Sequence, residues 1–270
     1  MAVSAYIADM ELLGILIFSS EQRPAVAEPG GAVITPSHFI HNYPLIYGFN
    51  GRPVESYAVV PSLHYLSYEK LEKIKKPKKN KHAPELAAEP LKYTFVEEQI
   101  RKLLSGESAV YVFPAYPERV YARKFFMAAK GAGYAEFRGR LKTVYPRLEH
   151  YVALTPPSRF KAVVLSTVEL PPTLYVRIGM KRMGLFKATL REAEIAGRVE
   201  ELAWTSIPVN FYDVGLFGYM IYDAVKLLET RSKPPEKPLC STIGYVRTKG
   251  LAVVAHGEEK MRVPVPLRSA

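Results

Sequence analysis

The chain has a single cysteine, Cys240, among its 270 residues. One thiol cannot form an internal disulfide framework or a cysteine-rich zinc site, so a reduced, cytoplasmic setting is the simplest expectation. Only two glutamines and four asparagines occur. This depletion of heat-labile side chains is typical of thermophilic proteins. No apolar run reaches the roughly 18 residues of a membrane-spanning helix, so none is predicted.

Catalytic and cofactor motifs are also missing. The sequence has no phosphate-binding Gly-x-x-x-x-Gly-Lys-Ser/Thr loop, no Gly-x-Ser-x-Gly nucleophile motif and no paired-cysteine spacing. His38 and His41 could act as acid and base in RNA cleavage, or ligate a metal if a third ligand joined them. The alternative is that one histidine faces solvent while the other caps a helix or packs against aromatic rings. We therefore predict no catalytic residue, no metal and no cofactor.

The charge is strongly one-sided. The chain has 37 Lys and Arg against 26 Asp and Glu, which gives a net charge of +11 and a pI near 9.5. Such a field favours a polyanionic partner, and nucleic acid before a membrane surface. The alternative is a basic protein that has no such partner.

Hydrophobic periodicity indicates several helices and strands. A strand is predicted over residues 3–18, and a helix follows in 35–51, with Thr35 as its cap and Pro44 expected to kink or end it. The same patterns predict a helix at 93–104, strands at 108–113, 160–170 and 173–193, a helix at 214–228 capped by Asp213, a hairpin at 241–257, and a last strand. This order predicts an α+β fold with an antiparallel sheet.

Two segments interrupt this pattern within what we predict to be a single domain, 1–270. A Lys-rich stretch near 70–90 is expected to be an exposed loop. Residues near 114–159 are aromatic, basic and irregular. Within them, Arg138, Arg140 and Lys142 belong to a basic cluster that is interleaved with aromatic residues, as expected where cations neutralise phosphates and rings stack on unpaired bases. The alternative is that the rings are core and the cations a solvated rim.

The stretch "YVRIGMKRMGLFKATL" (175–190) places its charge around a bend that is flanked by glycines. Two strands meeting there would hold Lys181 and Arg182 at the bend, where glycines let the backbone approach a phosphate. Arg177 and Lys187 would lie on the flanking strands, on one face if the pleat is unbroken. An exposed basic hairpin with no ligand is the alternative.

Several segments, taken in order, resemble those of one family. They are "LIFSSE" (16–21), "TPSHFIHNYPLIYGF" (35–49), "AVYVFPA" (109–115), "VYPRLEHYVALTPPSRFKAVVLS" (144–166), "LPPTLYVRIGMKRM" (170–183) and "IPVNFYD" (207–213). Together they resemble the Cas5-type subunit of the type I-D CRISPR interference complex, in the RAMP superfamily. The family's Asn-Tyr-x-Leu-x-Tyr element is matched at Asn42, Tyr43, Leu45 and Tyr47. In its Gly-Lys-type element, Met180 stands where a lysine is usual, and Lys181 follows.

The resemblance implies an RRM-like (ferredoxin-like) antiparallel sheet with helices on one face and a thumb-like insertion. It also implies a subunit that binds the 5′ handle of the CRISPR RNA without cutting it and caps the filament of backbone subunits beside the large subunit. Whether target DNA is touched is left open. The RNA contacts expected on this basis are Arg177, Lys181, Arg182, Lys187, Arg138, Arg140 and Lys142, with Asn42, Tyr43 and Tyr47 positioning the first helix or contacting RNA. The rival functions are a metal-independent CRISPR RNA endoribonuclease of the same superfamily, which would use His38 or His41, and a basic archaeal RNA-binding scaffold protein.

Overall fold

The computed structural model describes residues 3–17, 27–28, 31–34, 39–52, 94–128, 148–179, 182–226 and 243–267. The predicted Lys-rich loop lies outside them, as do residues 129–147 of the predicted insertion, which include Arg138, Arg140 and Lys142. Lys181 and His38 also lie outside the described residues.

The described residues form three helices and fourteen strands. The helices are α1 (Asn42–Phe49), α2 (Thr94–Ser105) and α3 (Phe211–Leu216). The strands are β1 (Ser4–Leu12), β2 (Ala27–Glu28), β3 (Gly31–Ile34), β4 (Val110–Val112), β5 (Tyr116–Ala128), β6 (Leu148–Ser166), β7 (Thr173–Ile178), β8 (Gly184–Val199), β9 (Ala203–Trp204), β10 (Val209–Asn210), β11 (Asp223–Lys226), β12 (Ile243–Thr248), β13 (Leu251–His256) and β14 (Glu259–Val263).

A predominantly antiparallel sheet of ten described strands is the centre of the fold. Its main path runs β14-β13-β8-β1-β6-β3-β2, while β4 and β5 pair with β6 and β7 pairs with β8. Among these described strands, only β3 runs parallel to a neighbour, β6. The predicted α+β class with an antiparallel sheet is therefore confirmed. The RRM-like topology and the thumb-like character of the insertion stay predictions.

The core lies between this sheet and the first two helices. In β1, Met10 and Leu12 are buried while Asp9 and Glu11 are half-buried, which is the alternation expected of a strand with one covered face. Helix α1 packs against β4 and β7, and α2 packs against β4 and α1. Helix α2 has the predicted bounds to within a residue, and Gly106 follows it with the positive φ of a helix-ending glycine.

The segment that the sequence marked as irregular, near 114–159, is extended at both ends. Residues 116–128 and 148–159 lie in β5 and β6, which pair over the length of β5 with shifts in register on either side of Arg119. These shifts explain why the alternation could not be read from the sequence, since each one moves the following side chains to the opposite face.

The predicted helix over 214–228 is wrong. Helix α3 begins at Phe211 because the Asn210 side chain caps it, accepting the Tyr212 N–H at 3.1 Å, so Asp213 is not the cap. Gly218 then adopts φ +89°, which stops the helix. Tyr219 is held in the interior by hydrogen bonds between its hydroxyl and the Val265 backbone, and the chain goes on to β11.

The predicted hairpin at 241–257 is also wrong in its pairing, although both of its strands exist. Strand β12 pairs with β9, β10 and β11 in a small second sheet, whereas β13 pairs with β8 and β14 in the large one. A pattern of two strands and a turn fixes the local structure. It does not fix the hydrogen-bond partners, which depend here on residues far along the chain.

Candidate nucleic-acid interface

A groove of about 430 Å³ lies between helix α1 and strand β7, at the turn that connects β7 to β8. Its wall on the α1 side includes Tyr47, Gly48 and, just beyond the helix, Arg52. The opposite wall includes Tyr175 and Arg177 from β7 and Arg182 from the turn. The structure therefore brings together three of the predicted contact residues, namely Tyr47, Arg177 and Arg182. Arg52 and Tyr175 were not predicted.

Helix α1 approaches β7 closely because it carries a glycine at the contact. A Cβ atom on Gly48 would lie 2.5 Å from the Val176 Cγ1 atom, so no larger residue fits without movement. The helix begins after His41, whose Nδ1 accepts the Tyr43 N–H at 3.1 Å. Pro44 therefore lies in the first turn, where its missing N–H leaves no helical hydrogen bond unmade, and it does not kink the helix as predicted.

Aromatic packing holds Arg52 at the groove. Its guanidinium carbon lies 4.8 Å from the centroid of the Phe95 ring, and the Tyr47 ring packs on the same Phe95 at 4.9 Å. A cation on a ring face is attracted by the ring's quadrupole and also loses freedom of movement. Helix α2, which carries Phe95, thus holds Arg52 in place. In the sequence Arg52 is a single arginine after Gly51, and nothing nearby marks it as part of a site.

Strand β7 presents both its side chains and its edge. Tyr175 and Arg177 point to the exposed face, and Tyr175 is 65% exposed. The Leu190 N–H of β8 donates to the Pro172 carbonyl, just before β7, so Pro172 and Leu190 form a hydrogen-bonded pair of the ladder. Such pairs alternate along an antiparallel ladder, and the amides of Tyr175 and Arg177 therefore face away from β8. They add backbone donors to this side of the strand.

The turn between β7 and β8 is tight, as the flanking glycines predicted. Gly179 has φ +80°, and its carbonyl accepts the Arg182 N–H at 3.0 Å. Arg182 itself has φ +56°, a conformation that is uncommon for a residue with a side chain. Backbone strain of this kind is concentrated at functional sites, which motivates a binding role for this turn.

Predicted Lys187 shares a face with the groove residues without lining the groove. The β7–β8 register places it opposite Tyr175, with Arg177 opposite Leu185, so Lys187 and Arg177 do lie on one face. The turn therefore does not move the two side chains to opposite faces of the sheet. On its other side Lys187 stands opposite Glu11 of β1, and it is half-buried.

The groove is positive and contains no carboxylate among its described lining residues. Neither Arg177 nor Arg182 forms an ion pair with any residue in the described part of the chain. Because no acidic side chain of the described residues offsets them, their charge is available to an anionic ligand.

Two other cations of the sheet, Lys161 and Arg191, are neutralised by carboxylates. Lys161 lies 2.7 Å from Glu259 and 2.9 Å from Glu118, and Arg191 lies 2.7 Å from Asp9 and 2.8 Å from Glu259. The two hydrogen-bonded cations lower the pKa of Glu259, although partial burial acts in the opposite direction. A network of this kind holds β1, β6, β8 and β14 together, and it leaves little net charge for a ligand.

Asn42 and Tyr43, which were predicted either to position the first helix or to contact RNA, belong to a buried polar network. The Asn42 amide donates to Asp213 Oδ2 at 2.6 Å and to the Tyr111 hydroxyl at 3.1 Å. Tyr111 donates to the same carboxylate at 2.6 Å, and Tyr43 donates to its other oxygen at 3.4 Å. Asn42 is fully buried, and its hydrogen bonds fix α1 against α3 and β4. The predicted RNA contact of this residue stays a prediction.

Burial shifts the pKa values of two groups near α1. It raises the pKa of Asp213 to about 6, against the hydrogen bonds from Tyr111, Asn42 and Tyr43 that lower it. Burial lowers the pKa of His41 to about 3, so the imidazole is neutral at physiological pH. His41 is only 6% exposed and serves as the helix cap. Among the described residues no group of three or more His, Cys, Asp or Glu side chains could hold a metal.

A family model for the type I-D CRISPR-associated protein Cas5/Csc1 matches residues 3–268, almost the entire chain. The chain belongs to this family. The predicted family resemblance is therefore confirmed, and Cas5 membership implies a component of a CRISPR interference complex that contains CRISPR RNA and other Cas subunits. No curated protein matches the chain significantly. None of the described helices is long and apolar enough to cross a membrane.

Proposed function

We propose that this Cas5/Csc1-family protein is a non-catalytic subunit of the type I-D interference complex, that it binds the repeat-derived 5′ handle of the CRISPR RNA, and that it caps the filament of backbone subunits. The observation that carries the proposal is the groove between α1 and β7. In it Arg52, Arg177 and Arg182 converge beside an exposed Tyr175, with no carboxylate among the described lining residues.

The groove offers the groups that single-stranded RNA requires. A guanidinium can bind two oxygens of one phosphate, and the outward amides of β7 can add neutral donors. The Tyr175 ring is exposed enough for an unpaired base to stack on it, which contributes about 1–3 kcal/mol. A double helix would hide its bases from that ring, so we expect a preference for unpaired RNA.

The surroundings of His41 support binding rather than cleavage. A general acid or base for RNA cleavage must reach its substrate and titrate near the working pH. His41 is buried, its Nδ1 caps α1, and its pKa is lowered to about 3. The rival endoribonuclease would therefore need a different residue or a rearrangement of α1.

Binding and cleavage assays with the purified protein test the proposal. Handle-containing repeat RNA, a scrambled RNA of equal length and the corresponding duplex would be titrated at matched salt, with EDTA present. We expect tighter binding of the handle RNA and no cleavage. Handle-site cleavage that is lost in a His41→Asn variant would establish the endoribonuclease instead. Equal affinity for handle and scrambled RNA would favour the basic scaffold protein.

A further inference from the structure

A row of side chains crosses one face of the large sheet, and it begins at the arginine groove. The strand registers place one residue from each of five neighbouring strands directly opposite the next, in the order β7, β8, β1, β6, β5. We call these residues the cross-strand row: Tyr175, Lys187, Glu11, Arg159 and Arg119. Residues that stand opposite each other share a face, so the row extends over four strand spacings, about 19 Å.

The cross-strand row lies on the face that helix α1 leaves uncovered. Gly48 of α1 contacts Val176, whose side chain points to the opposite face from its neighbour Tyr175. Tyr175 itself lines the groove, so the row continues the groove surface from the edge strand β7 onto the sheet.

The cross-strand row carries three cations and one carboxylate. Lys187 and Arg119 form no ion pair with any residue in the described part of the chain. The Arg159 side chain is 61% exposed, and its Nη2 lies 4.0 Å from Glu11 Oε1, too far for a hydrogen bond. The neutralised network around Lys161 lies one row further along the sheet. The cross-strand row therefore keeps a positive charge beside a region where charge is balanced.

Two of these cations face each other directly. Arg119 of β5 stands opposite Arg159 of β6, and like charges in this arrangement destabilise a sheet. The distant Glu11 is the one described carboxylate that pairs with either of them. A phosphate between the two guanidinium groups would remove the repulsion and accept hydrogen bonds from both.

An aromatic ring supports Arg119, as Phe95 supports Arg52 in the groove. The Arg119 guanidinium carbon lies 5.3 Å from the centroid of the Tyr121 ring. The backbone of Tyr121 is fixed in turn, because its N–H donates to the Ser158 hydroxyl at 2.9 Å. Guanidinium planes and aromatic rings are surfaces on which unpaired bases stack, so the end of the row suits a single strand better than a double helix.

We propose that the cross-strand row is a second RNA-binding site, over which the strand held in the arginine groove continues across the sheet. Lys187, Arg159 and Arg119 bind successive phosphates, and an unpaired base stacks at the end of the row. The inference rests on the proposed function and deepens it, because both sites hold one strand of the CRISPR RNA. It also gives Lys187 a contact, although this residue does not line the groove.

A comparison of short and long RNA tests the inference. The row variant Arg119→Ala, Arg159→Ala removes the far end of the row and changes no described residue of the groove. A dinucleotide, which reaches only the groove, should bind the row variant and the wild-type protein within about twofold in a competition assay. Full handle RNA should bind the row variant about tenfold or more weakly, with a salt slope smaller by about 1.4. The melting temperature should not fall, because the substitution removes a pair of like charges.

Two further variants separate the row from general charge effects. Lys260→Ala, Arg262→Ala is the matched control, since it removes two exposed cations of β14 outside the row, and it should bind both RNAs as the wild-type protein does. Glu11→Gln removes the one carboxylate of the row and should bind full handle RNA about threefold or more tightly. Weaker binding by Glu11→Gln would contradict the proposal.

The remaining outcomes decide between the row, the groove and other ligands. Unchanged affinity of the folded row variant for full handle RNA would overturn the proposal. So would an equal loss for both RNA lengths, or a loss confined to single-stranded DNA, which would assign the row to a DNA strand. If Arg177→Ala, Arg182→Ala keeps full affinity for handle RNA while the row variant loses it, the row stands and the groove proposal fails.

Discussion

Removing Arg177 and Arg182 together should weaken RNA binding and also reduce its dependence on salt. Each arginine that neutralises one phosphate of a single strand contributes about 0.7 to the slope of log K against log salt. Loss of two such contacts reduces the slope by about 1.4. Between about 50 and 200 mM salt, the wild-type protein should therefore lose roughly 7-fold more affinity than the Arg177→Ala, Arg182→Ala variant. At low salt we expect the variant to bind roughly 100-fold more weakly.

The assay is fluorescence anisotropy with labelled handle RNA over a salt series. The matched control is Lys260→Ala, Arg262→Ala, which removes two exposed cations of β14 outside the groove and should leave the slope nearly unchanged. Both arginines of the test variant are exposed, so its melting temperature should stay close to that of the wild-type protein. An unchanged slope in a folded test variant would refute the assignment of the groove to phosphates.

Three further predictions concern the frame behind the groove. Burial raises the pKa of Asp213 to about 6, above the unfolded value near 3.9, so the protonated carboxyl stabilises the fold at low pH and this stabilisation is lost as pH rises from about 4 to 6. The Asp213→Asn variant should lack this pH-dependent change of about 3 kcal/mol in the free energy of unfolding. Chemical denaturation at about pH 4 and pH 6 measures it. Burial lowers the pKa of His41 to about 3, so the stability of the wild-type protein falls as pH falls from about 6.5 toward 3. The His41→Asn variant keeps a capping acceptor but has no titrating group at this position. Its free energy of unfolding should therefore fall by up to about 5 kcal/mol less than that of the wild-type protein over the same range. Gly48→Ala should cost about 1–3 kcal/mol and weaken RNA binding because its Cβ meets Val176, whereas Gly215→Ala, which has open space, should leave RNA binding unchanged and fold at least as well.

Local structure could be predicted from the sequence wherever a single local pattern determines it. Alternation identified β1, the period of α2 and its final glycine gave both ends of that helix, and the glycines at 179 and 184 predicted the turn. Short motifs then identified the family, which the match over residues 3–268 confirmed. The class of fold and the basic turn were therefore accessible from the sequence alone.

Interactions between distant segments were not accessible. The Asp213 carboxylate accepts hydrogen bonds from residues 171 and 102 positions away, Asn42 and Tyr111, so its role as a buried acceptor could not be read from its neighbours. The sequence predicted Asp213 as the helix cap, whereas Asn210 caps α3 and Asp213 is a buried acceptor within it. Tyr175 and Arg52 were missed for the same reason, since each becomes part of a site only when α1 lies against β7.

The distribution of carboxylates in the sequence helps to explain why the described walls of the arginine groove contain no acidic side chain. The aromatic and basic insertion near 114–159 contains carboxylates of its own, among them Glu118, which pairs with Lys161 just beyond the insertion. No acidic residue occurs between Glu28 and Glu55, or between Glu169 and Glu192. These two intervals contain α1 and the β7–β8 turn, the two walls of the groove. Because the fold brings two acid-free segments together, the arginines between them meet no carboxylate from either wall. Acid-free intervals alone do not identify the groove, since the interval between Glu236 and Glu258 also contains an arginine, Arg247, that does not line it. The packing of α1 against β7 joins two such intervals and places Arg52 beside Arg177 and Arg182.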